Sequence, residues 1–277
     1  MMMREMTLDE VHDVLYDILV DIHEFCVEND IKYSLAGGTL LGAIRHNGFI
    51  PWDDDIDVQM SRPEYERFIH SYKSKNGYLL FSRELPGCED VEVAFTRVCD
   101  MNQTFVDTSL RPWKKEPTGL WVDVVPIDGA PNSKIRANIK ISIMYVLWKL
   151  SITNRYPKNF TIKSTHGYVK KFKHVLKKYI VVPIIPKNFI CYYIALCKEY
   201  NYCDNNYIAN YSTMQNKFRE WQPKRTMESF VLHQFGKGKF YIMEDYNTSL
   251  SHLYGDYMKL PPVDKQVAHI DNSYFWK

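Results

Sequence analysis

Residues 36 to 60, AGGTLLGAIRHNGFIPWDDDIDVQM, hold the densest set of groups able to do chemistry. Asp55 and Asp57 alternate with Ile56, so on a strand both carboxylates leave the same face. There they can share one hard, oxygen-seeking cation such as Mg²⁺ or Mn²⁺. Asp53 lies two residues upstream and extends the same face. Like charges this close repel unless a cation neutralises them, which favours metal binding over a solvated acidic loop. Gly37 and Gly38 stand ahead of a helix, where the backbone can approach a phosphate and offer it the N–H groups of the first turn. Thr39 closes that turn, and Arg45, one helix further on, can clamp a phosphate. A glycine pair alone is a turn and an acidic run alone is surface; their order makes them specific.

The stretch GGTLLGAIRHNGFIPWDDDID resembles the signature of the LicD family, which the fukutin-related transferases share and which is a branch of the nucleotidyltransferase-fold superfamily. Other pieces resemble the family too: Cys26 followed by Asn29 to Tyr33, the strand-like Trp121 to Asp128, and the ending Tyr254 to Met258 before Leu260-Pro261-Pro262. The resemblance implies a glycine turn at Gly37 and Gly38, a D-x-D pair at Asp55 and Asp57, and a third carboxylate at Asp123. It further implies that Asp53 touches metal and that Gly38 and Arg45 touch a donor nucleotide. Asp123 is the only acid between Trp121 and Val125, so it needs a cation or hydrogen bonds to stay charged.

The activity implied is metal-dependent transfer of a phosphorylated alcohol, phosphocholine or similar, from a CDP-activated donor. The acceptor implied is a hydroxyl of a cell-surface glycan such as lipopolysaccharide or teichoic acid, or its lipid-linked saccharide precursor. Two other readings use the same residues: transfer of the nucleoside monophosphate itself, and noncatalytic glycan binding. Trp52, grouped with Gly37, Gly38, Thr39 and Arg45 as donor-contacting, joins Trp113, Trp121 and Tyr257 as aromatic faces able to wall a choline head group, although most tryptophans are core residues. Lys224-Arg225 departs from the family's basic pair, since Thr226-Met227 follows rather than an aromatic residue. His252 and His269 stand near the C-terminal motif, where lone histidines are more often structural.

Elements must position these groups. Apolar residues at helical spacing, Val11, Leu15, Ile18, Ile22 and Phe25, predict an amphipathic first helix, and Thr7 with Glu10 predicts a capping box. Strands are expected over 31–36, 56–60, 78–82, 91–98, 103–107 and 120–125, and helices over 39–45 and 62–72. The expected fold is α/β (α+β): a nucleotidyltransferase-like mixed sheet flanked by helices, with a mainly helical, basic C-terminal portion that includes a Lys-rich segment from Tyr168 to Ile180. A soft boundary near 130 separates a catalytic core, 1–130, from 131–277, which completes the site.

Charge supports that division. Residues 129–198 carry 14 Lys and Arg and no Asp or Glu, whereas residues 1–128 carry 12 and 24. The basic block suits a peripheral membrane surface or a polyanionic acceptor, or is a solvated Lys-rich face; nucleic acid is not an expected partner. At 277 residues, 45% hydrophobic, the chain can bury a sizeable core. Six cysteines without a CxxC pair read as reduced thiols. The start lacks a signal-peptide core and no apolar run reaches the ~20 residues of a span, so a cytoplasmic protein is expected, at most peripheral at the inner face of the membrane.

Overall fold

In the computed structural model, residues 3–107, 118–154, 186, 188–266 and 273–277 are described. Helix α1 (Leu8–Glu28) starts at the predicted capping box: the Thr7 hydroxyl accepts from the Glu10 N–H at 3.3 Å, and the Glu10 carboxylate accepts from the Thr7 N–H at 2.9 Å. Its stripe of Val11, Leu15, Ile18 and Ile22 is fully buried, because an apolar face one turn apart must find a sheet to cover it. Short β1 (Arg4–Glu5) precedes it, and β2 (Ser34–Leu35) leads through Ala36 into α2 (Gly37–His46). Asn47 ends α2 in the left-handed conformation that releases the chain toward Gly48.

The main sheet holds β2, β3 (Asp57–Ser61), β7 (Leu120–Ala130), β5 (Thr96–Asp100) and β4 (Leu79–Phe81), in that order. β3 and β7 run parallel, and the other neighbours are antiparallel. Helix α3 (Arg62–Ser71) packs with α1 against this sheet. The end of β7 continues the sheet into β8 (Tyr207–Ala209), which pairs with β9 (Gln222–Pro223). A smaller sheet joins β1, β12 (Ser273–Trp276) and β6 (Thr104–Asp107). The expected α/β class, a mixed sheet flanked by helices, is what the chain adopts.

Beyond β7 come α4 (Lys134–Asn154), α5 (Phe189–Cys197), the hairpin of β10 (Phe230–Phe235) and β11 (Gly238–Met243), and α6 (Tyr246–Tyr254). The strands after residue 199 were not anticipated, although Gly236, at φ +58 in a two-residue loop, is a hairpin signal. Residues 91–95 differ as well. Val91, Val93 and Phe95 bury in a small cluster with Val125, but β5 begins only at Thr96, since alternating burial also suits an extended segment with no strand partner. The Lys-rich segment from Tyr168 to Ile180 lies outside the described residues. None of the six cysteines forms a disulfide, and three of them, Cys26, Cys99 and Cys197, are buried.

A buried ion pair ties the start of α3 to the end of β7. Arg62, at the start of α3, donates from Nε and Nη2 to the two carboxylate oxygens of Asp128 at 2.6 and 2.8 Å, and from Nη1 to Glu84 at 3.1 Å. Two-pronged pairing of this kind holds the planar guanidinium in one orientation. Replacing Asp128 by Ala leaves a buried guanidinium short of a partner and should cost about 3–5 kcal/mol in chemical denaturation. Breaking the exposed Arg67–Glu64 pair should cost less than about 1 kcal/mol in the same measurement.

Candidate active site

The site forms where α2 begins and where β3, β7 and β5 lie side by side. Gly37 takes φ +50, a left-handed conformation that glycine adopts without strain, and this turns the chain from β2 into α2. The Asp57 backbone is fixed from two directions. Its N–H donates to the Thr39 hydroxyl at 2.9 Å, and its carbonyl accepts from the Ala36 N–H at 3.0 Å. Thr39 is therefore buried and joins helix to strand; it does not line the cleft.

Ahead of β3 the chain is extended, and its side chains alternate. Asp53, Asp55 and Asp57 line the cleft, Ile56 is buried in the core, and Asp54 turns back to accept from the Tyr274 hydroxyl at 2.7 Å. The Asp53 carbonyl bonds His12 Nε2 at 2.7 Å, and because a carbonyl only accepts, that nitrogen carries the proton. The first turn of α2 fits closely around these acids. A methyl group on Gly38 would stand 2.8 Å from Asp53 Oδ2, and one on Gly37 would stand 3.4 Å from Asp57 Oδ2. The space that the two glycines leave is bordered by carboxylates.

Strand register brings in the third acid. Asp57 on β3 is level with Asp123 on β7, and Asp123 is level with Arg97 on β5. The three side chains thus form one row across the sheet, and all three line the cleft. Arg97 Nε donates to Asp123 Oδ1 at 3.1 Å, and its guanidinium lies over the Trp121 ring at 4.3 Å from the centroid. Asp123 is thereby oriented by a cation, itself held by an aromatic face.

The cleft has a volume of about 930 Å³. Of the residues predicted from sequence, it brings together Gly37, Gly38, Arg45, Trp52, Asp53, Asp55, Asp57, Trp121, Asp123 and Tyr257. Arg45, in the last turn of α2, is steadied by donating from Nη1 to the Tyr257 carbonyl at 3.0 Å. Trp113 and His269 lie outside the described residues. Lys224 and Arg225 do not line the cleft: Arg225 pairs with Asp245 at 3.3 Å, and Lys224 donates to the Cys203 carbonyl at 3.1 Å.

Arg97 and Glu220, missed by sequence reasoning, also line the cleft, as does Tyr254, which was read only as part of the C-terminal motif. A single cation within the apolar run 91–98 was a signal for Arg97. Nothing local marked Glu220, which sits in a short 3-10 turn (Lys217–Glu220), is buried, and accepts from Asn216 Nδ2 at 2.8 Å.

Electrostatics set the character of the cleft. Burial pushes the Asp55 carboxyl well above the usual carboxylate range, and repulsion from Asp57, Asp53 and Asp123 pushes it further. Asp57 is raised by burial and then by Asp123, Asp53 and Glu220, while Arg97 opposes the rise. Burial carries Glu220 to about 7. Tyr254 is raised too, by burial and then by Asp57.

The donor set is all hard oxygen, which suits Mg²⁺ or Mn²⁺ rather than a thiolate-seeking ion. Among the described residues no three His, Cys, Asp or Glu groups already converge on a metal position. A cation held here would therefore require the carboxylates to turn toward it, which relief of their mutual repulsion favours.

Comparison with known proteins gives matching results. The family model described as LicD/FKTN/FKRP, nucleotidyltransferase domain, matches residues 30–196. The lipopolysaccharide cholinephosphotransferase LicD of Haemophilus influenzae is 32% identical over 284 residues, covering 98% of this chain and 99% of its own. An uncharacterized protein of Rickettsia typhi is 27% identical over 192 residues, 62% of this chain and 58% of its own. Another, of Rickettsia prowazekii, is 38% identical over 119 residues, 39% of this chain and 42% of its own.

Glu220 makes stability depend on pH in a defined direction. Its carboxyl binds a proton more readily in the folded chain than unfolded, so its charged form destabilises the fold. That cost is absent below pH 4.5, grows as pH rises, and is complete above about 7. Glu220→Gln should therefore raise stability at pH 8, by up to about 3 kcal/mol, and leave it unchanged at pH 4. Thermal melts at both pH values, run with chelator present, check this; an equal shift at the two would show that ionisation is not the cause.

Proposed function

Since this chain belongs to the LicD/FKTN/FKRP nucleotidyltransferase family, we propose that it moves phosphocholine, or a similar phosphorylated alcohol, from a CDP-activated donor to a hydroxyl of a cell-surface glycan. The single observation that carries this reading is the row of Asp57, Asp123 and Arg97 across three strands, facing Asp53 and Asp55 beside the first turn of α2. The full-length similarity to a protein named as a lipopolysaccharide cholinephosphotransferase supports the choice of donor group and of a lipopolysaccharide or related glycan as acceptor. The cleft volume of about 930 Å³ is ample for a nucleotide-sized donor together with part of an acceptor.

In this proposal Asp55 and Asp57, with Asp53 and Asp123, would hold Mg²⁺ or Mn²⁺. When bound, the cation would neutralise charge on the donor's pyrophosphate. Arg45, from the end of α2, and Trp52 line the same cleft and would offer the donor a guanidinium and an aromatic face. The acceptor oxygen attacks the phosphorus distal to the nucleoside. A bond forms between that oxygen and phosphorus, the bond to the bridging oxygen breaks, and CMP leaves with the electron pair.

The hydroxyl proton passes to a carboxylate of the cleft. Asp123 and the Asp55/Asp57 pair are available for this, and so is Glu220, whose carboxyl burial carries to about 7. Arg97 keeps Asp123 oriented throughout. Catalysis on this scheme is alignment and charge neutralisation.

Purified protein incubated with CDP-choline, Mg²⁺ and a lipopolysaccharide acceptor should release CMP. Asp55→Ala and Asp57→Ala should each lower that release by about 10³-fold, the loss expected when several kcal/mol of charge stabilisation disappear. CDP-ribitol run in parallel identifies the alcohol. Pyrophosphate release from nucleoside triphosphates, with no CMP from any CDP-alcohol, would instead assign transfer of the nucleoside monophosphate.

A further inference from the structure

Helix α4 is apolar on two faces, and the fold covers only one of them. Ala137, Ile141 and Met144 are buried, the last two in a cluster with Ile190, Tyr193, Ile194 and Cys197 of α5. On the other side Ile135, Ile139, Ile143 and Val146 are 74, 57, 52 and 57% exposed. Their spacing of four, four and three residues sets them in one stripe, running roughly 16 Å along the helix. A soluble surface helix ordinarily presents charged and polar residues there, so an outward row of β-branched residues marks a contact surface.

Charge indicates what the surface meets. At 100° per residue, exposed Arg136 and Lys149 fall on opposite flanks of the stripe, and exposed Lys134 stands at its start. No acid occurs anywhere between residues 129 and 198. A symmetric pair of copies meeting through this face would set basic flank against basic flank, which like-charge repulsion disfavours. An anionic bilayer satisfies both features at once: the isoleucines enter the acyl boundary while Lys and Arg lie among acidic head groups. Among the described residues no helix is long and apolar enough to cross a membrane.

We propose that α4, through Ile135, Ile139, Ile143 and Val146 and their basic flanks, docks the protein on anionic membrane surfaces. The same helix supplies Trp148 and Ile152 to the cleft wall, so the docking face and the reactive cleft share one rigid element. The proposal stands on exposure and charge and is independent of which donor the cleft takes.

The test is co-sedimentation of the full chain with large vesicles of phosphatidylcholine alone and of phosphatidylcholine mixed with phosphatidylglycerol. Wild type is expected to pellet with the mixed vesicles and remain largely in solution with the neutral ones. Ile139→Ser and Ile143→Ser should each weaken partition roughly tenfold, since each removes one buried isoleucine from the bound state. Arg136→Glu with Lys149→Glu should erase the preference for anionic vesicles. Ile143→Trp, which keeps the face apolar, should bind at least as well as wild type, and this guards against loss of binding through misfolding. Equal binding by wild type and the serine variants would overturn the proposal. So would a wild type that ignores both vesicles yet forms dimers, by sedimentation velocity, that the serine variants lose.

Discussion

The parallel pairing of β3 with β7 is the constraint on which the site depends. It sets Asp57 level with Asp123 at the centre of the sheet, where neighbouring strands stand about 4.8 Å apart and two carboxylates on one face must interact. Burial and repulsion make this arrangement unfavourable for two charged groups, and the fold offsets it locally. Arg97 meets Asp123 from the next strand, and Trp121 holds Arg97 from two residues away on β7. Asp53 and Asp57 lie on the side toward α2. A cation bound among these acids, as proposed above, would relieve their mutual repulsion.

The chain around that row is arranged for fit. Gly37 and Gly38 leave room for Asp57 and Asp53 to lie against the first turn of α2, where its N–H groups point outward. Thr39 and Ala36 then lock the Asp57 backbone, so the start of β3 and the start of α2 move as one unit. At the opposite end of β7 the Arg62–Asp128 pair performs a separate task. Deeply buried and far along the strand from Asp123, it fastens α3 to the sheet. One strand thus carries two acids, each held by an arginine: Asp123 faces the cleft, and Asp128 faces the core.

Later segments complete the cleft. The 3-10 turn that carries Glu220, the end of α6 with Tyr254, and Tyr257 beyond it reach the same space as the acids of the first 130 residues. Tyr254 and Glu220 interact electrostatically with Asp57, so the C-terminal elements take part in setting the charge of the site as well as enclosing it. Basic α4 has both a wall residue, Trp148, and an outward apolar stripe, which places it between the cleft and whatever the protein rests upon.

Much of this was legible from residue order. Alternation at Asp53, Asp55 and Asp57, the glycine pair before a helix, the capping box at Thr7, and a lone acid in an apolar strand at 123 are local signals, because strand period, backbone freedom and capping depend on near neighbours. Those determined most of the acids that line the cleft. What only tertiary structure decided was partnership. Register between distant strands chose Arg97 for Asp123, and chain return brought Glu220 and Tyr254 to Asp57. It also sent Thr39 inward, to the backbone of β3 and away from the cleft. The covered and bare faces of α4, both apolar, read alike in sequence. Neither partnership nor exposure follows from spacing, since each depends on which segments, separated by tens of residues or far more, pack together.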